Sequence, residues 1–260
     1  MKKRRISIAL VILLLLSIPL VGPACSDASV TNSYDFSNFT RLDIQNAFDT
    51  QVTQSSTFGI SITSSKALLD YLSIAKEGET LVIKLHPNHP FTDFVTMQKT
   101  LKAKITMPAL SGITLSGASK CTVNGFKSEN ALDLDVSGAS SLNLNSVETG
   151  DANLIISGDS EITGKLTANN IKIDNSGASL LKLKGTGQDI QLNASGATKV
   201  SLEEFVNQTS TITLSGSCQA TVDTRQHLDI SLSGASRLFF LSNPSFGKTE
   251  VMGASTIKHK

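Results

Sequence analysis

The sequence predicts an all-β fold, a single-stranded parallel β-helix in which the chain winds through about eight coils. A phrase similar to Ser-Gly-Ala-Ser returns every 18 to 21 residues in the C-terminal half. Repetition at such a period indicates a solenoid, whose coils bury their apolar faces against one another. No helical periodicity separates the repeats, which argues against a leucine-rich horseshoe of similar period. The phrases are centred on Gly117, Gly138, Gly158, Gly177, Gly196, Gly216, Gly234 and Gly253.

Apolar residues alternate on both sides of the repeat glycines. Around Gly138, Leu134 and Val136 precede the glycine, and Leu142 and Leu144 follow it. Because side chains along a strand point alternately to opposite faces, each repeat should contain two half-buried strands joined by a corner. A weaker apolar position nine residues after the glycine predicts a third side of the coil, and it is occupied by Phe126, Val147 and Phe205.

The corner phrase suits a tight bend. Glycine reaches left-handed backbone angles without a Cβ clash, and the small alanine that follows it is expected to point inward. The hydroxyl groups before and two residues after the glycine should line up in columns from coil to coil. Such columns could form a serine-rich ligand surface, but we favour hydrogen bonding to the backbone at the bend, since the chain must turn there.

The region before the repeats is also rich in predicted strands. We interpret residues 25–34 as a polar tether, residues 35–108 as a β-rich cap continuous with the solenoid, and residues 109–260 as the β-helix repeats. A cap would cover strand edges that otherwise invite aggregation. Within it, Lys66 to Leu72 suits one or two helical turns, and Gly78 suits a hairpin turn.

Residues 1–24 have the pattern of a secretory signal peptide, a basic start followed by an apolar run. Small residues precede Cys25, which favours a bacterial lipoprotein that is cleaved before Cys25 and lipidated on it. Gly22 departs from this pattern, since a larger apolar residue is usual there. Ordinary cleavage near Ala24 or Ala28, or an uncleaved membrane anchor, are the alternatives.

Charge and cysteine content restrict the partners and the covalent links. The chain has a net charge of +1, and removal of the signal peptide takes away four basic residues and no acidic one, which leaves −3. Without a basic patch, nucleic acid is not an expected partner. Cys121 and Cys218 would lie roughly 24 Å apart in the stack, too far for a disulfide, so both are expected to be buried free thiols.

Two groups of residues could suggest a chemical site. The stretch 86–94 contains two histidines and two prolines, and we interpret it as a loop, because only Asp93 stands at ligand spacing from the histidines. His227 and Asp229 at a strand edge are interpreted as a solvated pair. We therefore expect no catalytic residue, no metal site and no cofactor.

A polysaccharide-cleaving enzyme is the main alternative that the fold class raises. Glycoside hydrolysis needs two carboxylates about 5 to 9.5 Å apart across a groove. Stacking of the coils should place Asn153 beside Asp133 and Ile155 beside Asp135. Uncharged residues would then separate the carboxylates along the outward face. The chain also has no tryptophan that could serve as a sugar platform. The outward acids are Asp133, Asp135, Asp174 and Asp229.

The eight corner phrases, the strand-rich segment Glu77–Ile83 and the junction Met107-Pro108-Ala109-Leu110 resemble one family over residues 35–257. It is the putative autotransporter adhesin, head GIN domain family of bacterial envelope proteins. The resemblance implies a right-handed parallel β-helix, export and frequent lipid anchoring, and it lends no catalytic residues to this chain. Asp159 and Cys218 depart from the phrase but should leave the fold intact.

These observations favour a non-catalytic, exported protein of the cell envelope or cell surface, anchored in the membrane through a lipid on Cys25. It would present its outward β-face as an adhesin to a glycan, peptidoglycan or protein ligand. The alternatives are a polysaccharide-acting enzyme on a β-helix scaffold and a purely structural envelope lipoprotein.

Overall fold

The structure, a computed structural model, describes residues 29–88 and 101–260. The fold is nearly all-β, with 65% strand and 2% helix, and its parallel coils stack into a β-solenoid. The predicted fold class is therefore confirmed. The elements before the repeats are β1 (Ser29–Tyr34), β2 (Arg41–Ile44), β3 (Asp49–Gln54), β4 (Gly59–Ser65), α1 (Lys66–Leu69), β5 (Leu72–Glu77), β6 (Thr80–Leu85) and β7 (Lys102–Met107).

The repeats form the remaining strands, two of which continue around a corner of the coil. They are β8 (Gly112–Leu115), β9 (Lys120–Asn124), β10 (Leu132–Val136), β11 (Ser141–Glu148), β12 (Ala152–Ile156), β13 (Glu161–Thr167), β14 (Asn170–Asn175), β15 (Leu180–Thr186), β16 (Asp189–Gly196), β17 (Lys199–Gly216), β18 (Gln219–Leu232), β19 (Arg237–Phe240), β20 (Ser245–Val251) and β21 (Thr256–His259).

The strands stack in two parallel columns that meet at the glycine corner. The first column contains the strand before each corner, in the order β2, β8, β10, β12, β14, β16, the end of β17, the end of β18 and β20. The second contains the strand after each corner, in the order β3, β9, β11, β13, β15, the start of β17, the start of β18, β19 and β21.

The interior is filled by the apolar positions that alternate around each corner. The four side chains around Gly138 that the alternation singled out are at most 1% exposed. The third side of the coil is equally closed, since Phe126, Val147 and Phe205 are all buried. The predicted inward positions are thus confirmed on all three sides.

The repeat glycines stand directly above one another. Each has a positive φ, between +64° at Gly117 and +90° at Gly216, which favours glycine over any residue with a Cβ. Close approach of the coils adds a second requirement, because a Cβ on Gly177 would lie 2.5 Å from the carbonyl oxygen of Gly158. The corner therefore needs glycine both for its backbone angle and for the contact with the coil before it.

The alanine that follows each corner glycine does not point in the expected direction. The alanines, such as Ala178 and Ala197, are exposed, so the prediction that they point inward was wrong. The position after the alanine instead begins the inward alternation of the next strand, and its hydroxyl turns inside. Ser119 and Ser179 are buried and donate to the carbonyl three residues earlier, at 2.7 and 2.9 Å.

Hydrogen bonding at the bend thus accounts for this column at Ser119, Ser179 and Ser236, whereas the buried hydroxyls of Ser160 and Thr198 have no partner among the described residues. In the sixth repeat, Cys218 replaces the hydroxyl, and its Sγ lies 3.0 Å from the carbonyl oxygen of Ser215. Both Cys121 and Cys218 are buried and free, as predicted. Burial, with a smaller contribution from the charge of Asp49, raises the pKa of the Cys121 thiol far above its usual range.

An additional coil comes from the N-terminal region. β2 and β3 stack beneath β8 and β9, and their corner is Asn46-Ala47, with φ values of +64° and +60°. Gly117 lies on this corner, where its carbonyl accepts a hydrogen bond from the amide of Ala47 at 2.8 Å. Asparagine tolerates the left-handed region better than most residues, which accounts for Asn46, whereas Ala47 adopts this region without such a preference and is held there by its bond to Gly117.

Antiparallel strands close this end of the solenoid. β6 and β7 first pair parallel with β2 and β3 from outside, and the antiparallel strands then lie on these two: β5 forms a hairpin with β6 across Gly78, and β4 pairs with β7. The predicted hairpin is confirmed, and the predicted helical segment is the single turn α1. The division of the chain at residue 108 stays a prediction.

Residues 29–34 were expected to belong to a tether, and for these residues the prediction was wrong. They form β1, which pairs antiparallel with β4 from Ser29 opposite Ser65 to Tyr34 opposite Ile60. The open edge of β4 and the β propensity of valine, threonine and tyrosine explain the pairing. The signal segment and Cys25 lie outside the described residues, and in the part that the structure describes no helix could cross a membrane.

Candidate functional site

The outward side of the first strand column carries an ordered array of polar side chains, which we call the polar face. It consists of three rows, at positions seven, five and three before the repeat glycines. The first row is Asp151, Asn170, Asp189, Thr209 and His227; the second is Asp133, Asn153, Lys172, Gln191, Thr211 and Asp229; the third is Asp135, Ile155, Asp174, Asn193, Thr213 and Ser231.

A shallow groove of about 740 Å³ runs along the first two rows, from Asp133 to Thr211. It crosses five successive coils, which lie about 4.8 Å apart. The side chains on its floor and walls are mainly carboxylates, amides and hydroxyls. The groove therefore offers hydrogen-bonding groups at a regular spacing along a path several coils long.

The first row is held in place by hydrogen bonds between neighbouring coils. The Oδ1 atom of Asp151 accepts from the backbone amide of Asn170 at 3.1 Å and from its side-chain amide at 3.0 Å. Asp189 Oδ1 accepts from the hydroxyl of Thr209. Within the described residues, these bonds use one oxygen of each carboxylate, so the second oxygen can accept from a ligand.

One end of the groove is bounded by an ion pair from the N-terminal coil. Arg41 Nη1 lies 3.0 Å from Asp133 Oδ2, and both side chains are partly exposed. The guanidinium group passes over Gly112, where an added Cβ would lie 2.5 Å from it. Glycine at this position thus leaves the space that lets Arg41 reach Asp133.

The acids of the third row are separated, as the sequence predicted. Asp135 lies beside Ile155 in the neighbouring coil. Asp174 accepts a hydrogen bond from Asn193 at 2.8 Å and lies 3.4 Å from the ammonium group of Lys172. The predicted neighbours of Asp133 and Asp135 are therefore confirmed, and neither these carboxylates nor Asp174 pair with another carboxylate across adjacent coils.

His227 joins the polar face to the last coil. Its Nε2 lies 3.4 Å from Asp229 Oδ1, and its Nδ1 lies 3.2 Å from Ser245 Oγ. The Ser245 hydroxyl donates to the carbonyl of Gln226 at 2.8 Å, so its proton does not point at the imidazole, as activation of a serine nucleophile would require. The imidazole is about half exposed, in keeping with a solvated pair.

Neither a catalytic constellation nor a metal site was expected, and the described residues contain no group of three His, Cys, Asp or Glu side chains suited to a metal ion. Of the stretch 86–94, only His86 to Asn88 lie within the described residues. The interpretation of this stretch as a loop therefore stays a prediction.

The first row of the groove was missed at the level of sequence. Asp133 and Asp135 stand five and three residues before their glycine, whereas Asp151 and Asp189 stand seven residues before theirs. The signal was nevertheless present, because the position seven before the glycine is polar in five successive repeats. It was overlooked because it precedes the apolar alternation that marks the strand.

Comparison with known proteins points to one family and one fold. The family described as "Putative auto-transporter adhesin, head GIN domain" matches residues 38–244. None of the curated proteins matches the chain.

Several solved structures share the fold. A protein from Parabacteroides distasonis described as a putative lipid binding protein is 18% identical, with a TM-score of 0.81 over 90% of this chain and 98% of that one. A putative adhesin from Parabacteroides merdae is 18% identical, with a TM-score of 0.80 over 90% and 97%. A putative adhesin from Bacteroides fragilis is also 18% identical, with a TM-score of 0.70 over 90% and 98%.

Proposed function

Because this chain belongs to the putative auto-transporter adhesin, head GIN domain family, we propose that it is an exported, non-catalytic adhesin of the cell envelope. The groove on the polar face would be its binding surface. The observation that carries this proposal is the continuous row of hydrogen-bonding side chains that crosses five coils.

The chemistry of the groove favours a neutral glycan as the ligand. Sugars present hydroxyl groups that both donate and accept, which suits a mixture of carboxylates, amides and hydroxyls. The groove contains Asp133, Asp151 and Asp189, against Lys172 and the neighbouring Arg41. This excess of negative charge disfavours anionic polymers such as sulfated or uronic polysaccharides.

A binding experiment tests this proposal directly. We expect the chain to bind neutral oligosaccharides saturably on a glycan array, and to bind sulfated or uronic ones more weakly. Gln191→Arg should weaken binding at least about tenfold, or roughly 1.4 kcal/mol, because the longer side chain fills the middle of the groove. The dissociation constant of a retained oligosaccharide, measured by calorimetry, reports this loss.

The matched control is Asn143→Arg, which replaces an exposed amide on the second strand column, away from the groove. It should leave the affinity unchanged. Equal loss in both variants, or no saturable binding to any neutral glycan, would contradict the proposal. Shortening of the oligosaccharide during the assay would favour the polysaccharide-acting enzyme instead. Preferred binding to lipid vesicles would favour the activity named for the Parabacteroides distasonis protein.

We propose in addition that the exported chain is held at the membrane by a lipid on Cys25. In a bacterium that processes lipoproteins, the wild-type chain should incorporate a labelled fatty acid and sediment with the membrane fraction, and Cys25→Ala should abolish the label. Fatty-acid labelling followed by immunoprecipitation measures this change. An uncleaved anchor and ordinary signal cleavage both predict no label in either form, so an unlabelled wild-type chain would contradict lipidation.

A further inference from the structure

The two ends of the solenoid differ in how they are closed. Antiparallel strands cover the N-terminal end, whereas β20 and β21 each have one strand partner among the residues that the structure describes, the preceding coil. Of the large apolar side chains described as exposed, three lie in this last coil, Phe246, Val251 and Met252, and one, Ile155, lies elsewhere. The C-terminal end thus presents both free backbone groups and apolar surface.

The free backbone groups of the last coil can be identified from those already bonded. The amides of Met252 and Thr256 donate back to the preceding coil at 2.9 Å, and that of Lys260 does so at 3.0 Å. Because backbone groups along a strand alternate in direction, the amides and carbonyls of Val251 and Ile257 face away from the solenoid. These groups are ready to pair with another antiparallel edge.

We propose that a second copy of this chain docks on this end, related by a two-fold axis that passes through the corner at Ala254. This axis pairs β20 of one copy antiparallel with β21 of the other. Because the axis is two-fold, the same pairing forms a second time with the two copies exchanged. In this register, Val251 lies opposite Ile257 of the second copy, and both belong to inward columns, since they pair with Leu232 and Leu238. The residues whose backbone groups face the second copy are thus the same residues whose apolar side chains extend the core.

The same register brings one pair of opposite charges together in each strand pairing. Glu250 of one copy lies opposite Lys258 of the other, on the outward side of the strands, and the symmetry repeats this pair. Lys248, which lies 3.1 Å from Glu250, falls opposite Lys260 toward the strand ends, and each of these lysines already has an acidic partner in its own copy, Glu250 and Glu203 respectively. Shifting the two-fold axis by one residue, to Gly253, keeps the direction of the backbone groups but places Thr249 opposite Ile257. Self-complementarity of charge and apolar contact therefore favours the axis at Ala254 and a copy of the same chain as the partner.

Cysteine cross-linking tests this arrangement in the full-length chain. Ala254 lies on the proposed axis, so its Cα atom would be about 4.8 Å from its counterpart, within the range of a disulfide. Under mild oxidation, Ala254→Cys should give a covalent dimer on a non-reducing gel. Ala197→Cys occupies the equivalent exposed corner position in the middle of the solenoid and should migrate like the wild-type chain. Both of these chains contain Cys25, so they control for any disulfide that forms through Cys25.

Charge exchange tests the register. In the Ala254→Cys background, Glu250→Lys or Lys258→Glu alone should lower the cross-linked fraction severalfold, and the two together should restore it. Lys184→Glu, which breaks an exposed ion pair between coils at 2.7 Å, should leave the fraction unchanged. Absence of the Ala254→Cys dimer, equal cross-linking through Ala197→Cys, a mixed disulfide with another protein, or failure of the double exchange to restore the dimer would overturn the proposal.

Discussion

Gly177→Ala is expected to destabilise the chain by about 3 kcal/mol or more, because two independent penalties meet at this corner. The φ angle of +84° costs a residue with a Cβ about 1 kcal/mol or somewhat more. The added methyl group would also lie 2.5 Å from the carbonyl oxygen of Gly158. That oxygen accepts the amide of Ala178 at 2.9 Å, so moving the coils apart weakens a hydrogen bond of the stack.

The control for this substitution is Gly78→Ala in the β5–β6 hairpin. Gly78 has a φ of +60° but no atom within 4 Å of an added Cβ, so it should cost only the backbone penalty, about 1 kcal/mol. The free energies of unfolding in denaturant measure both effects. Similar losses at the two glycines would mean that contact between corners contributes nothing to stability.

Asn207→Asp is expected to destabilise the chain by about 3 kcal/mol or more at neutral pH. Asn207 is fully buried on the third side of the coil. Its side-chain amide donates to the carbonyl of Thr209 and to the hydroxyl of Ser210, and its oxygen accepts from Thr224. A carboxylate cannot donate these bonds, and it would bury a charge next to a carbonyl oxygen.

The loss caused by Asn207→Asp should depend on pH. Burial raises the pKa of the introduced carboxyl above its value in the unfolded chain, about 3.9. The folded variant is therefore least penalised in acid, and the penalty grows as the pH rises above about 4 until the folded carboxyl itself ionises. Unfolding of the variant relative to the wild-type chain, measured from pH 3 to pH 8, reports this change.

An exposed asparagine supplies the comparison. Asn143→Asp on the second strand column should change stability by no more than about 0.5 kcal/mol, with little dependence on pH. A loss of similar size at Asn143 would show that the buried network around Asn207 is not the cause.

The repeat architecture could be predicted because its physical requirements are local. Alternating apolar residues and a glycine at each bend specify the strand, its buried face and the corner within about 20 residues. The position of Asp133 beside Asn153 followed from the stacking of equal repeats alone. For the same reason, the absence of a disulfide between Cys121 and Cys218 could be predicted from their repeats.

Two features could not be predicted in this way. The coil formed by β2 and β3 has Asn46-Ala47 in place of the glycine phrase, so its corner carries no repeat signal. The direction of the alanine after each glycine depends on how the bend joins the second strand, which the small size of alanine does not reveal. The polar groove was predictable only in part. The regular spacing of its side chains is visible in the sequence, but its first row precedes the apolar alternation that marks the strand.

The coil contributed by β2 and β3 also bears on the order in which the chain folds. Neighbouring coils in the middle of the stack are separated by 18 to 21 residues, whereas Ser111 bonds to Thr40 across 71 residues. Closing this longer loop costs about 1 kcal/mol more in chain entropy, and such distant contacts slow folding. In the export proposed above, the N-terminus would leave first, and β2 and β3 could pair with β8 and β9 only after the first repeats had followed. We expect nucleation among the central repeats, with the leading segment added last.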